Sequence, residues 1–289
     1  MSLAVPFPLG AQEASLSQSA TSRLISYHGE ERAEPIVVEA LVRGEGPLVV
    51  LLPSLGRGGS DFDDLASRIA AAGFRAAAIN PRGIGGSEGP PARSLADYAR
   101  DVAEVILALQ PRQVDGLTTP VVLIGHAFGN RLARAVASLY PDLVSSLILL
   151  ASGGQVAIAP EVAKALFDVF DTSLSPESHL AAVQTAFFAP GNNPEVWRDG
   201  WYGTVAMQQQ TALMQSPPES WNAGGLAAIS IIQAAQDVVA PPANAEALRA
   251  AHPDRVEIAI LEQAGHAMLP EQPDRLAQLV LVRLAGSQN

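Results

Sequence analysis

The stretch Val121-Val122-Leu123-Ile124-Gly125-His126-Ala127-Phe128-Gly129-Asn130-Arg131 decides the fold of this 289-residue chain. Residues 121–124 form an unbroken, mostly β-branched apolar run, the composition of a strand covered on both faces. Residues 131–139 are rich in Ala and read as a helix. Between the two, Gly125 and Gly129 flank a three-residue apex centred on Ala127. A strand that turns this sharply into a helix forces its central residue into strained φ/ψ, and glycines on either side remove the Cβ atoms that would collide there.

Working outward from this unit, strand and helix patterns alternate, which predicts a mainly parallel sheet covered on both faces. Strands are expected at residues 23–28, 35–42, 48–52, 74–79, 146–150, 228–233 and 256–261, which with the elbow strand makes eight. Helices are expected at residues 61–72, 95–109 and 273–284. The alternation breaks over residues 153–225, where only helices are predicted, at 160–170, 176–188, 194–202 and 204–214. The domain reading is a flexible tail (1–22), a core made of 23–152 and 226–289, and a helical cap (153–225). All three tryptophans, Trp197, Trp201 and Trp221, fall in the cap, and Trp197 and Trp201 share a helix face at i, i+4.

Composition narrows the function. A hydrophobic content of 48% excludes a disordered chain. The net charge of −11, with Lys164 as the sole lysine, argues against a nucleic-acid partner. No apolar run approaches the ~20 residues that span a bilayer, so no membrane partner is expected. The absence of cysteine removes disulfides, thiolate metal sites and a cysteine nucleophile. Residues 1–20 lack a basic n-region and carry Pro6 and Pro8, so they do not read as a signal peptide, and the expected location is cytoplasmic.

A turn apex of this kind presents the nucleophile of a hydrolytic site, and the chain order nucleophile, acid, histidine is met by Ala127 (at the nucleophile position), Asp237 and His266. Asp237 follows the strand at 228–233, and His266, preceded by Gly265, follows the strand at 256–261. The oxyanion donors would be the N–H of Phe128 and that of Leu55 in the loop Pro53-Ser54-Leu55-Gly56-Arg57-Gly58-Gly59. Ser54, Phe188, Trp197 and Trp201 are candidates for substrate contact. Arg57 reads as a solvated loop arginine, with a substrate carboxylate as its alternative partner. His28, His126, His179 and His252 read as structural. The stretch Gly83-Ile84-Gly85-Gly86-Ser87-Glu88 opens like a dinucleotide loop but has Glu88 where the third glycine belongs. No phosphate loop, metal spacing or other cofactor signal is present, so no cofactor is expected; the partner is a small-molecule substrate, and oligomeric state is not readable.

On these residues the chain resembles the α/β-hydrolase-fold superfamily from about Leu24 to Leu284. The resemblance rests on Gly125-His126-Ala127-Phe128-Gly129, on Asn80-Pro81-Arg82-Gly83-Ile84-Gly85-Gly86-Ser87, on Asp237 and on Gly265-His266. It implies a mostly parallel eight-stranded α/β sheet with a cap, and cleavage of an ester, lactone or amide. The chain departs from the pattern at Pro53-Ser54, where many members have His-Gly, at Asn80, where Asp is usual, and at Ala127, where Ser, Asp or Cys is usual. Removing a serine nucleophile costs about 10⁶ in kcat, so the acyl-enzyme route is closed to this sequence. Three readings of Ala127 stand beside one another. An enzyme could use His266, oriented by Asp237, as base on water or a substrate proton. An engineered Ser→Ala form of a serine esterase or lactonase would carry the same residues, and so would a non-catalytic ligand-binding protein.

Overall fold

The computed structural model describes residues 19–29, 34–110, 118–154 and 156–286. Of the expected tail, residues 1–18 lie outside the described residues, and Thr21 and Ser22 already belong to the first strand. The signal-peptide reading of the N-terminus falls mainly on that same stretch.

In chain order the elements are β1 (Thr21–His28), β2 (Pro35–Arg43), β3 (Leu48–Leu52), α1 (Asp63–Ala71), β4 (Arg75–Asn80), α2 (Leu95–Leu109), β5 (Val121–His126), α3 (Phe128–Leu139) and β6 (Val144–Leu150). Three helices follow before the next strand: α4 (Pro160–Asp168), α5 (Pro176–Phe187) and α6 (Gly203–Met214). The chain then returns to the sheet through β7 (Ala228–Ala234), α7 (Ala243–Ala251), β8 (Val256–Leu261), α8 (Met268–Glu271) and α9 (Pro273–Gly286). The eight strands form one sheet in the order β1-β2-β4-β3-β5-β6-β7-β8. β2 runs antiparallel to β1 and β4, and every other pairing is parallel.

Both faces of the central strands are buried, which is why their sequences are continuously apolar rather than alternating. Val50, Leu52, Leu123, Leu147 and Leu149 point into a core shared with α2, α3 and α7. Their neighbours Val49, Leu51, Val122, Ile124, Ile148 and Leu150 point into a second core shared with α1, α8 and α9. A third, smaller cluster holds α4 and α5 together with Trp197 and packs against Ala267.

The elbow is built as its glycines require. Ala127 has φ 51° and ψ −107°, a region that costs a non-glycine residue about 1–3 kcal/mol. A Cβ on Gly125 would sit 2.3 Å from the Gly129 carbonyl oxygen, and one on Gly129 would sit 2.0 Å from that of Leu52. The turn is held by Ala127 N–H donating to Leu150 O and by Asn130 Nδ2 donating to Ala151 O, each at 3.0 Å.

Two expectations are corrected. The helix predicted at 194–202 is only a 3-10 turn, Pro194–Trp197: Gly200 takes φ 85°, and the Arg57 guanidinium lies 4.5 Å from the ring centres of both Trp197 and Trp201. The two indoles therefore clasp a cation instead of lining one helix face. Trp221 does not join them; it packs in the first core beside Arg134.

Candidate active site

Ala127 sits at the C-terminal edge of β5, and the loops that carry Leu55, Asp237 and His266 leave the same edge from β3, β7 and β8. Parallel register places Leu52 beside Gly125, so the loop after β3 begins directly against the elbow. The β7 and β8 loops are joined by Ala235 N–H to Leu261 O at 2.9 Å and Gln236 N–H to Ala264 O at 3.0 Å. That pairing brings His266 onto Asp237. The His266 Nδ1–H donates to both carboxylate oxygens, at 2.9 Å to Oδ2 and 3.1 Å to Oδ1. Oδ1 also accepts from the Val239 and Ala240 amides at 2.9 and 2.7 Å. The buried carboxylate is thus paired and fully engaged, which offsets the cost of taking it out of water.

With Nδ1 as donor, the lone pair of His266 is on Nε2, the arrangement of an imidazole ready to accept a proton. Its ring centre lies 5.2 Å from that of His126, the residue before Ala127, and 5.5 Å from that of Phe187. The His266 carbonyl accepts from His126 Nε2–H at 2.8 Å. Burial, and then the charge of His266, depress the pKa of the His126 imidazole to about 3, so it stays neutral and structural. A His held neutral in the fold and free to protonate when unfolded stabilises the native state above its ordinary pKa of 6.5, and that contribution is lost as pH falls toward about 3. In urea titrations, His126→Gln is expected to flatten the fall in midpoint across that window; an identical fall in both proteins would refute the assignment.

Among the described residues, neither the Phe128 amide, which opens α3, nor the Leu55 amide donates to a backbone or side-chain acceptor. Ser54 is buried, and its carbonyl accepts from Arg57 N–H at 3.2 Å. Asn80 holds the next turn of this loop: its Oδ1 accepts from Gly59 N–H at 2.7 Å while its Nδ2 donates to Glu39 Oε2 at 2.8 Å. An aspartate at 80 would face the Glu39 carboxylate without a donor, which is the physical reason for amide rather than acid at this position.

Arg57 is neither solvated nor open to a substrate carboxylate. It is buried, forms a bidentate pair with Asp61 at 2.7 and 2.8 Å, and donates to Asp199 O at 2.7 Å. Gly56 is gripped alongside it, its N–H donating to Gln209 Oε1 at 2.7 Å and its carbonyl accepting from Tyr202 N–H at 2.9 Å. The histidine loop is tied to the inserted helices as well: Glu271 accepts from the Gly265 and Ala189 amides, each at 2.7 Å, and Ala267 N–H donates to Phe187 O at 2.8 Å. The segment between β6 and β7 therefore holds the loops on both sides of the elbow. Gln209, Glu271 and Phe187 had no motif to mark them; a glutamine inside a helix and a glutamate after a histidine carry no local signal.

Phe188 and Trp197 are buried in the aromatic cluster of the insertion, with Trp201 at its margin. Trp197 approaches the elbow, its ring centre 6.1 Å from that of His126. Among the described residues no group of three or more metal-ligating side chains occurs, and no helix is long and apolar enough to cross a membrane.

Comparison with known proteins agrees with this architecture. A curated relative, the 2-(acetamidomethylene)succinate hydrolase of Mesorhizobium japonicum, is 30% identical over 116 residues, which are 40% of this chain and 39% of that protein. The chain thus matches only about two fifths of that relative's length. Among solved structures, an esterase from Thermogutta terrifontis superposes with TM-score 0.72 at 20% identity, over 92% of this chain and 100% of the esterase. A variant of a meta-cleavage product hydrolase superposes with TM-score 0.72 at 18% identity, over 93% of this chain and 98% of that one. These likenesses are of fold. The sequence profile of the alpha/beta hydrolase family matches residues 49–279, and the chain belongs to that family.

Proposed function

We propose that this protein is a hydrolase of a small or medium, partly apolar carbonyl compound, an ester, lactone or amide, in which His266 is the general base and Asp237 orients it. The carrying observation is the hydrogen bond from His266 Nδ1–H, shared by both Asp237 carboxylate oxygens, beside the elbow, which leaves Nε2 free to take a proton. The methyl group of Ala127 leaves room for water or for a substrate atom where family members place a nucleophile. Charge that develops on the carbonyl oxygen is stabilised by the amides of Leu55 and Phe128. Ser54, Phe188, Trp197 and Trp201 contact the substrate beneath the inserted helices, which act as a cap. The name of the Mesorhizobium japonicum relative refers to an amide-bearing compound, which supports keeping amides in the substrate class.

The strained φ of 51° at Ala127 favours a second reading, because alanine has no use for a conformation that serves to project a nucleophile. In that reading the chain is a serine-type hydrolase scaffold that lacks only its hydroxyl.

A panel of aryl esters, lactones and anilides tests the first reading. The unmodified chain is expected to turn over at least one of them, and His266→Ala to lower kcat by about 10²–10⁴ at similar KM. Equal rates for the two proteins would eliminate His266 as the base.

A further inference from the structure

One cluster of charge lies outside the proposed catalytic groups. Arg134 on α3 is 1% exposed, yet each of its hydrogen-bonded partners among the described residues is neutral. One terminal nitrogen donates to Asn222 O at 3.2 Å and Asn222 Oδ1 at 2.8 Å; the other donates to Asn130 Oδ1 at 2.9 Å and Gly153 O at 3.1 Å. Among the described residues its buried Nε has no partner, nor has the buried hydroxyl of Ser152, the residue before Gly153. One helical turn earlier, the half-buried Arg131 lies over the same glycine: a Cβ on Gly153 would meet its guanidinium at 3.1 Å. Both guanidiniums lie against the Trp221 ring, Arg134 at 4.9 Å and Arg131 at 6.0 Å from its centre. Among the described residues no carboxylate pairs with either one, although the chain carries an excess of acids and the buried Arg57 and Arg82 each have an aspartate.

Two adjacent cations taken out of water without a counter-charge are costly, and the two unpartnered groups of this cluster, Arg134 Nε and the Ser152 hydroxyl, can each donate. Burial, and then the neighbouring charge of Arg131, push the Arg134 guanidinium down to about 9, in keeping with a missing negative partner. What such a place accepts is an acceptor with negative charge. Arg131, whose guanidinium makes no hydrogen bond within the described residues and reaches solvent, provides the approach.

We propose that Arg131, Arg134 and Ser152, converging on Gly153 at the flank of the elbow helix, form a binding site for a small oxyanion, a carboxylate or phosphate group. The site does not depend on His266 being a base. The oxyanion is either a dissolved ion or a carboxylate carried by the substrate.

The test is a titration of the full chain with sodium phosphate and with sodium acetate at constant ionic strength set by sodium chloride. It is read by thermal unfolding and by the ¹⁵N–¹H signals of the arginine Nε groups. At least one of the two anions is expected to raise Tm saturably, as a ligand bound to the native state must, and to shift the Arg131 and Arg134 signals with the same midpoint. Arg131→Gln, which removes no hydrogen bond within the described residues, is expected to fold like the parent and to bind that anion at least ten-fold more weakly. No response beyond that to chloride, or an equal response in Arg131→Gln, overturns the proposal. Where esters are turned over, Arg131→Gln raising KM only for esters that bear a free carboxylate, with phosphate competing, assigns the site to the substrate. Saturable phosphate binding with KM unchanged assigns it to a dissolved ion. If no ester is turned over, the binding titration still decides.

Discussion

Ala127→Ser is expected to convert the chain into a burst-phase esterase. The elbow already holds residue 127 at φ 51°, and the backbone around it is fixed by contacts that do not involve the side chain: Ala127 N–H to Leu150 O, and Gly129 pressed on Leu52. A serine placed there inherits the turn without rearrangement. In the proposed function its hydroxyl faces the imidazole of His266, whose Nδ1–H is held by Asp237, the arrangement that activates a hydroxyl for attack. Loss of a serine nucleophile costs about 10⁶ in kcat in a tuned enzyme; restoring one to a site not tuned for it is expected to recover at least ~10³ of that. Stopped-flow release of p-nitrophenol should show a burst stoichiometric with enzyme, and mass spectrometry an acyl adduct on residue 127. Adding His266→Ala should remove both. A correctly folded Ala127→Ser protein with neither burst nor adduct would mean that the imidazole does not reach the apex, and the catalytic reading would fall with it.

Asp101→Ala is expected to cost the fold about 3–5 kcal/mol, a large share of a typical domain's stability. Asp101 on α2 is 4% exposed and binds Arg82, itself 3% exposed, through Nε at 2.8 Å and a terminal nitrogen at 2.6 Å, while the Tyr27 hydroxyl donates to the same carboxylate. Burial works against the Arg82 charge, but the hydrogen bonds and field of Asp101 outweigh it and hold its pKa above the ordinary value. The Tyr98 hydroxyl, pushed up to about 12 by burial and by Asp101, completes a polar patch inside an apolar core. Without the carboxylate, Arg82 keeps two neutral acceptors, the Pro90 carbonyl at 2.9 Å and the Tyr27 hydroxyl at 3.3 Å, and Tyr27 loses its acceptor. Urea unfolding should show the loss directly. The double variant Asp101→Leu with Arg82→Leu should be more stable than Asp101→Ala alone, since replacing a buried pair by apolar residues costs less than orphaning one member. A single-variant loss under about 1 kcal/mol would show that the charge reaches water by local rearrangement.

The boundaries of α2, β3 and β8 coincide with those expected from the sequence, and those of the other sheet strands fall within two residues of them. Helix α7, Ala243–Ala251, is not among the helices expected from the sequence. Asp237 and His266 were visible as a pair because each follows a strand, and strands of a parallel sheet deliver their C-terminal loops to one edge. Their separation and the three-centre hydrogen bond between them are set by tertiary packing. An arginine among glycines reads as solvated, and Arg57 is buried only because the segment between β6 and β7 covers it.

By itself, the sequence determined everything that depends on a few neighbouring residues: the two-faced apolar strands, the strained turn that Gly125 and Gly129 permit, the alternation that makes the sheet parallel, and the missing side chain at Ala127. Only the tertiary structure decided which distant groups hold the site. Gln209 meets Gly56 across 153 residues and Asp199 meets Arg57 across 142, because the insertion folds back over the sheet edge. Periodicity and turn sterics are local and survive in the linear order. Partners of a buried charge or amide are chosen by packing, and packing exists only once the chain has closed on itself.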